Sequence, residues 1–381
     1  MPHNPAIILS HFIGLPPSRP RVLIPLASAR IQALSFALYN PASPYGKVFK
    51  WLVRASASAG LLKIAGNFLA VSVRTFETTE SIQPILDDKV IAGLQRDWGT
   101  DIGKGPICCA LSLGTPGFYR KVTALVFDNN ETPIAFAKVG CTPQAECLIN
   151  NERRVLDKLR TVGLQKASMP ALLGSGKTGP SVWLLQSPLL EGRPSPNDLQ
   201  KEHFAFLTEL AQATVQAMPL SASAIWLFLQ RLLRKAYFSI KDDFKSERPF
   251  IEKLRDQVCS LKPVDVQKPW PFSAAHGDFA PWNMRLADGR LSLFDWEYFL
   301  PQVPAGWDIV YFIFRVENLI KRLSLQQIWQ AFGKGAYSDK IIFFEKKAHL
   351  EIPDHSLLAM LVILSIALDL VPEMITDIHA Q

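Results

Sequence analysis

Polar residues with a regular spacing stand out in the second half of the chain. His276, Asp278 and Asn283 lie within eight residues, and Asp295 follows twelve residues after Asn283, with Glu297 just beyond it. Carboxylate and amide oxygens are ligands for Mg²⁺, which proteins commonly hold with one or two carboxylates plus substrate phosphates. Another carboxylate nearby can accept a proton from an attacking hydroxyl. The pattern therefore indicates a metal-assisted reaction at a hydroxyl group.

The elements around these residues must place them close together. Residues 272–300 read as a compact strand-loop stretch, and Asp288-Gly289 is a hairpin turn signal between two apolar runs. This reading puts His276, Asp278 and Asn283 on one loop and Asp295 at the end of a short strand.

Two motifs resemble those of the aminoglycoside phosphotransferase and choline kinase family. The segment His276 to Asn283 reads His-Gly-Asp-x-x-x-x-Asn, which is similar to the catalytic loop of that family. Phe294-Asp-Trp-Glu297 resembles its metal-binding strand end, where protein kinases carry D-F-G. The resemblance covers Leu111 to the C-terminus and implies a bilobal protein-kinase-like fold. Residues 1–100 have no counterpart in it.

The resemblance also implies roles in phosphoryl transfer from ATP. Asp278 would orient and deprotonate the acceptor hydroxyl of a small molecule or glycan. Asn283 and Asp295 would hold Mg²⁺ against the ATP phosphates, with Glu297 as an auxiliary through water. The cofactors implied are thus ATP and Mg²⁺.

Two further residues are interpreted as supports of this loop. His276 is expected to brace it by hydrogen bonding rather than to titrate in catalysis. Asp308, in Gly306-Trp-Asp308, occupies the place of a family Asp that supports the catalytic loop. Asp308 could equally be the N-cap of the helix that begins there.

The kinase template also requires a strand Lys paired with a helix Glu in the first lobe. Lys138 sits inside an apolar strand-like run, where an isolated ammonium would be costly. Its partner could be Glu146 or Glu152. Glu152 is preferred, because its helical face carries leucine and valine at core spacing whereas that of Glu146 is more polar.

The remaining nucleotide contacts rest on weaker signals. Gly114 and Gly117 lie where a phosphate-cradling loop is expected, but two glycines beside a proline also describe an ordinary hairpin. Leu189 and Leu190 fall in the linker where the resemblance places the backbone groups that bind adenine.

The order of elements predicts an α+β class, with a small β-rich N-lobe and a larger helical C-lobe after a basic N-terminal extension. The predicted domains are residues 1–100 for the extension, 101–187 for the N-lobe and 188–381 for the C-lobe. Strands are predicted at Arg21–Leu26, 110–117, 121–127, 133–139 and 181–187. Helices are predicted at 144–161, 201–218, 222–244, 249–261, 308–322, 325–332 and 354–371. The last contains a thirteen-residue apolar run, too short to span a bilayer, that we expect to be buried and ended by Pro372.

The positive charge is concentrated at the start of the chain. The net charge of the 381 residues is +7, yet residues 1–76 hold eight Lys and Arg and no Asp or Glu. Residues 77–381 carry 33 basic and 34 acidic side chains, a net charge of −1. Apolar residues from Tyr45 to Val53 recur at helical spacing opposite Lys47, Lys50 and Arg54. Such a helix could lie on an anionic membrane, or it could pack on the domain that follows.

Composition narrows the other possibilities. With 48% hydrophobic and 20% charged residues, the chain is not disordered or disulfide-stapled. The five cysteines show no metal spacing, so a reducing, cytoplasmic location is expected, peripheral at a membrane if the basic helix docks there. An acid-free start also occurs in transit peptides. No nucleic-acid motif accompanies the basic head. A pseudokinase or interaction module without turnover is the main alternative function.

Overall fold

The computed structural model describes residues 12–15, 21–39, 44–62, 88–102, 107–234 and 239–380. The strands in this part are β1 Phe12–Leu15, β2 Val22–Pro25, β3 Cys108–Ser112, β4 Val122–Phe127, β5 Pro133–Gly140, β6 Ala167–Ser168, β7 Leu172–Thr178, β8 Ser181–Gln186, β9 Arg193–Pro194, β10 Gln216–Pro219, β11 Pro269–Ala275, β12 Met284–Ala287, β13 Arg290–Leu293 and β14 Leu300–Pro304. The helices are α1 Ala29–Ser35, α2 Pro44–Ser58, α3 Asp88–Ile102, α4 Pro143–Val162, α5 Lys201–Thr214, α6 Ala224–Leu233, α7 Arg248–Cys259, α8 Pro263–Gln267, α9 Trp307–Arg315, α10 Leu325–Gly333, α11 Ser338–Ala348, α12 His355–Ala367 and α13 Leu370–Ala380.

The described residues form two compact units. The first comprises residues up to 153 together with 170–190, and the second comprises 154–169 together with 191–380. The first is built on a seven-stranded antiparallel sheet, whereas the second is mainly helical with two small sheets. This arrangement confirms the predicted α+β class.

The sheet of the first unit runs in the order β1-β2-β3-β4-β5-β8-β7. Its central strands are apolar on both faces, because helices and loops cover them, and the completely buried side chains include Ala124, Leu125 and Leu184. In β5, Lys138 stands opposite Leu184 of β8. The sheet thus holds one ammonium group within an otherwise apolar layer.

β1 and β2, from the range 1–100 that was predicted as an extension, belong to the first compact unit. β2 pairs with β3, with Leu23 opposite Leu111, so the N-terminal strands continue the same sheet. α3 buries Leu94 and Trp98 in the apolar cluster that also contains Leu23 and Leu111. The physical reason is that β3 would otherwise present an unpaired edge, which short flanking strands cover.

α2 buries only part of its apolar surface. Val53 and Ala57 pack into the cluster formed with β1, β2 and α1. In contrast, Val48, Trp51 and Leu52 are 58%, 67% and 52% exposed. The apolar face predicted over Tyr45–Val53 is therefore split between packed and exposed positions. The side chains of Tyr45 and Lys47 lie outside the described part of the structure.

The second unit centres on the strand that leads into the His-Gly-Asp loop. β11 lies between β10 and β14, and the hairpin of β12 and β13 lies between β9 and β6. Buried aromatic rings of Phe206, Phe279 and Trp296 pack against one another behind this loop. A rigid apolar base therefore supports the polar residues in front of it.

Several helices of this unit differ from the predicted ranges. The helix predicted at 201–218 ends at Thr214, because residues 216–219 form β10 and pair with β11. Within 222–244, α6 covers Ala224–Leu233, residues 235–238 lie outside the described part, and Asp242–Glu247 form a 3₁₀ helix. Sequence periodicity also missed α11.

The apolar C-terminal helix is two helices. Asp354 caps α12 by accepting a hydrogen bond from the Leu357 amide, and the chain breaks at Asp369, whose φ is 52°. Pro372 lies in the first turn of α13, where a proline is tolerated, so it does not end the helix. In the described part no single helix has the length and apolarity to cross a membrane. The helices His355–Ala367 and Leu370–Thr376 have this length and apolarity only when they are taken together. They are bent by 74° relative to each other, and their apolar side chains are buried.

Leu23→Ala tests whether the N-terminal strands are integral to the first unit. Leu23 is completely buried, so the substitution should lower the free energy of unfolding by about 2–5 kcal/mol, measured by chemical denaturation. The matched control is Leu52→Ala in the same segment, which is half exposed and should have a much smaller effect. Equal stability of wild type and Leu23→Ala would contradict the assignment.

Candidate active site

The His-Gly-Asp loop begins directly after the buried strand β11. Gly277 has φ of 81°, and a Cβ at this position would overlap the carbonyl oxygen of Tyr298. Glycine is therefore required for two reasons, the backbone conformation and the close approach of another chain segment. These constraints turn the chain so that Asp278 emerges from the buried layer.

Asp308 anchors this loop from the first turn of α9. Its Oδ2 accepts a hydrogen bond from the His276 amide at 2.7 Å, and its Oδ1 accepts one from the Gly277 amide at 3.1 Å. The N-cap of α9 is Gly306, so the carboxylate serves the loop and not its own helix end. Burial raises the pKa of Asp308 to about 7, opposed by the two amide hydrogen bonds.

His276 is completely buried and hydrogen-bonded through both ring nitrogens. Nδ1 lies 3.3 Å from the Asp278 amide, which donates to it, and Nε2 lies 3.2 Å from the Phe294 carbonyl oxygen, to which it donates. The ring also packs against Trp296, with centroids 4.6 Å apart. These contacts connect the loop to the end of β13 and are those of a structural brace.

The Asp278 carboxylate is held by two donors. Asn283 Nδ2 donates to Asp278 Oδ2 at 2.7 Å and also to the Asp278 backbone carbonyl at 2.9 Å. The Tyr311 hydroxyl donates to Asp278 Oδ1 at 2.7 Å. Desolvation and the nearby charge of Asp278 raise the pKa of Tyr311 well above its ordinary value, so its hydroxyl stays protonated. Each carboxylate oxygen keeps a further lone pair for a substrate proton.

Three side chains that flank the β12–β13 hairpin could supply oxygen ligands to a cation: Asn283 before it, and Asp295 and Glu297 after it. Because Asn283 commits its amide nitrogen to Asp278, its Oδ1 is the atom left for a metal. Carboxylate oxygens of Asp295 and Glu297 lie within 4.8 Å of each other. Asp295 has φ of 72°, a left-handed conformation that a non-glycine residue rarely adopts without a local reason. This all-oxygen set suits a hard divalent ion.

The Lys138 ammonium lies in the first unit against Glu152. Lys138 Nζ donates to Glu152 Oε2 at 2.6 Å, and both side chains are buried. The preference for Glu152 over Glu146 as the partner is thus confirmed. A buried ion pair of this kind fixes the position of the ammonium, and removal of either member leaves the other charge in an apolar layer.

Gly114 and Gly117 differ in backbone conformation and in the space around them. Gly114 has φ of 65°, and a Cβ there would overlap the Lys121 carbonyl oxygen, so local backbone packing already requires it. Gly117 has φ of 146° and open space around it. Leu189 and Leu190 are half-buried, and the first unit ends at Leu190. Nucleotide binding by these four residues stays a prediction.

Sequence reasoning missed Tyr311 and Arg315. Both follow Asp308 on α9 at +3 and +7, which places all three on one helical face. The guanidinium carbon of Arg315 lies 5.3 Å from the ring centroid of Trp282, inside the His-Gly-Asp loop, and 5.8 Å from that of Tyr311. Polar residues at this spacing in an otherwise apolar helix were the available signal.

Asp308→Asn should change how the free energy of unfolding depends on pH. Because the folded-state pKa of about 7 lies above the ordinary value, the protonated form favours folding. The unfolding free energy of wild type minus that of Asp308→Asn should fall between about pH 4 and about pH 7, by up to about 1.4 kcal/mol per unit, and then level off. Denaturant titrations across this range measure it. A difference that rises with pH would show that the amide hydrogen bonds outweigh desolvation.

Comparisons with known proteins complete this description. Among curated proteins none matches the sequence. A solved aminoglycoside 2′-phosphotransferase IIIa variant bound to GDP is 15% identical, covering 68% of this chain and 97% of its own, with a TM-score of 0.40. A spectinomycin phosphotransferase with ADP and spectinomycin is 11% identical, covering 73% and 85%, at 0.43. A glucosamine kinase with glucosamine, ADP and phosphate is 15% identical, covering 72% and 80%, at 0.33.

A family model matches the part of the chain that contains the His-Gly-Asp loop, the β12–β13 hairpin and the start of α9. The model of the phosphotransferase enzyme family matches residues 141–337, more than half of the chain. Asp278, Asn283, Asp295 and Asp308 all lie inside the matched range. The chain therefore belongs to the phosphotransferase enzyme family.

Proposed function

We propose that this protein transfers the γ-phosphoryl group of ATP to a hydroxyl of a small molecule or glycan. Family membership supports a phosphotransferase, and the arrangement around Asp278 supports a hydroxyl acceptor. The single observation that carries the proposal is a half-buried carboxylate fixed by both Asn283 and Tyr311. A side chain held in this way can take a proton from a substrate without reorganising.

Asp278 is the base in this transfer. The acceptor hydroxyl donates its proton to the Asp278 carboxylate while its oxygen attacks the γ-phosphorus. The bond between that phosphorus and the β,γ-bridging oxygen breaks, and ADP leaves with the electron pair. Phosphoryl transfer depends mainly on positioning and charge neutralisation, so Tyr311 and Asn283 contribute by holding the carboxylate in one orientation.

The remaining residues would serve ATP and its metal. Asn283 Oδ1 and the Asp295 carboxylate would hold Mg²⁺, with Glu297 as an auxiliary ligand through water. Bound Mg²⁺ would neutralise charge on the ATP phosphates. Lys138, kept in place by Glu152, would add a positive charge for the same phosphates. His276 and Asp308 would act as supports of the loop.

Asp278→Asn and Asp278→Ala test this function. Either change removes the base, so acceptor-dependent ADP production should fall by about 10²–10⁴-fold in a coupled assay across hydroxylated metabolites and glycans. Stabilisation by ATP and Mg²⁺ in a thermal-shift assay should persist, because neither change removes a proposed ATP or metal ligand.

The matched control is Asp288→Asn in the exposed β12–β13 turn. Its φ of 48° suits asparagine as well as aspartate, so the fold and the turnover should both be retained. Full turnover in the Asp278 variants would refute the assignment of the base. Nucleotide binding without turnover in the wild type, with every acceptor, would instead favour a binding module.

A further inference from the structure

Arg315 is a cation placed next to the proposed base. It follows Tyr311 by one helical turn on α9, and Tyr311 in turn donates to Asp278. Its guanidinium lies over the rings of Trp282 and Tyr311. Tyr311 therefore links the guanidinium to the carboxylate that a substrate hydroxyl must reach.

The hydrogen-bonding capacity of Arg315 is not used up within the described residues. Its Nε is buried and has no hydrogen-bond partner there. Burial by itself would lower the pKa of Arg315, but the coulombic interactions with Tyr311 and Asp278 outweigh it and raise the pKa, so the side chain is charged. A guanidinium presents its donors in a planar fork that matches carboxylate and phosphate groups. A buried donor without a partner is costly, and a ligand that supplies an acceptor would remove that cost.

The backbone also changes at this residue. α9 ends at Arg315, and Val316–Ile320 continue as a π-helix. Such segments are rare and occur frequently at functional sites. Geometry and unused donors thus coincide at one position.

We propose that Arg315 binds an anionic group, a carboxylate or a phosphate, on the acceptor substrate. This inference rests on the proposed function, because it places the acceptor beside Asp278. It also disfavours polycationic acceptors, which the Arg315 charge would repel at close range. The acceptor class is then an acidic sugar or a phosphorylated hydroxyl compound.

The test is a ratio of acceptor efficiencies. Glucose, glucuronate, glucose 6-phosphate and glucosamine supply neutral, carboxylated, phosphorylated and cationic forms of one sugar. With ATP and Mg²⁺, kcat/KM for the better anionic form should exceed that for glucose by at least about tenfold. In Arg315→Gln this ratio should approach one, and in Arg315→Lys it should be intermediate, because lysine keeps the charge but not the fork.

Each other result counts against Arg315 as the anion ligand. A wild-type ratio of one or less, or an unchanged ratio in Arg315→Gln, would overturn it. If Arg315→Gln lowers kcat/KM by the same factor for all acceptors, Arg315 acts only through Asp278. That result would also overturn the assignment of Arg315 as the anion ligand. Failure of the proposed function is separate, because it would appear as turnover that does not depend on Asp278 or as no turnover with any acceptor.

A second proposal comes from the exposed surface of α2. Val48, Trp51 and Leu52 share one helical face, and each is more than half exposed. We call these three residues the apolar patch. Large apolar groups that are exposed side by side commonly mark an interaction site. The patch needs an occupant that accepts both a tryptophan and aliphatic side chains.

The charge of the segment that carries the apolar patch indicates which occupant it fits. Residues 1–76 contain no acidic side chain, and Arg21, Arg30 and Arg54 are exposed. A helix with an apolar face among basic residues binds in the plane of an anionic bilayer, and tryptophan favours the interface between headgroups and acyl chains. We infer that the apolar patch docks on the surface of an anionic phospholipid membrane.

Sedimentation of the full chain with lipid vesicles tests the docking. Wild-type protein should bind phosphatidylcholine vesicles containing phosphatidylglycerol and not pure phosphatidylcholine vesicles. The double variant Trp51→Gln/Leu52→Gln should bind about tenfold more weakly or worse, and Arg54→Gln about fivefold more weakly at low salt. The matched control is Leu227→Gln, because Leu227 is also 58% exposed but lies on α6. It should bind like the wild type.

The folding of each variant is checked by its melting temperature, which should change little because the altered side chains are exposed. Equal sedimentation of the wild type and the double variant would overturn the proposal, as would absence of wild-type binding. Concentration-dependent dimerisation that the double variant abolishes would assign the apolar patch to a second copy of the chain instead. That outcome would also overturn membrane docking.

Discussion

The His-Gly-Asp loop depends on one buried carboxylate. Asp308 accepts the amide hydrogens of His276 and Gly277, two donors in an apolar layer, where a donor without an acceptor is costly. A carboxylate in that position is costly by itself, because burial disfavours its charge. Each half of the contact is therefore unfavourable without the other. This mutual dependence makes the loop a defined structure in place of a flexible connection.

The same helix extends the effect from the loop backbone to its chemistry. Residues 308, 311 and 315 lie on one face of α9, so fixing Asp308 against the loop also fixes Tyr311 against Asp278. Asn283 completes the arrangement from the other end of the loop. The proposed base is thus oriented by elements whose own positions are set by packing of large aromatic residues, which resists small displacements.

Sequence patterns predicted those parts of the structure that local rules determine. The hairpin at Asp288-Gly289 and the contact of Lys138 with Glu152 follow from turn chemistry and helical periodicity. The other parts of the fold depend on pairing between strands that are distant in the sequence, which local rules do not include. The helix from Lys201 stops at Thr214 because the next residues pair with β11, and no periodicity in residues 12–25 shows that they will cover the edge of β3. Tyr311 was missed because a tyrosine in an apolar helix is usually a core residue.

The basic N-terminal segment shows why composition alone misleads. Its charge suggested an appendage, yet Leu23 and Ile24 are completely buried and the segment extends the sheet that holds Lys138. One segment therefore has two physical requirements. Its inward side chains must complete an apolar core, while its exposed side chains include Arg21, Arg30 and Arg54, in a range of residues, 1–76, that contains no acidic residue. Folding explains the first of these requirements. No acidic residue occurs in residues 1–76, although carboxylates there would reduce self-repulsion, so this charge bias fits the proposed docking on an anionic surface better than a requirement of folding.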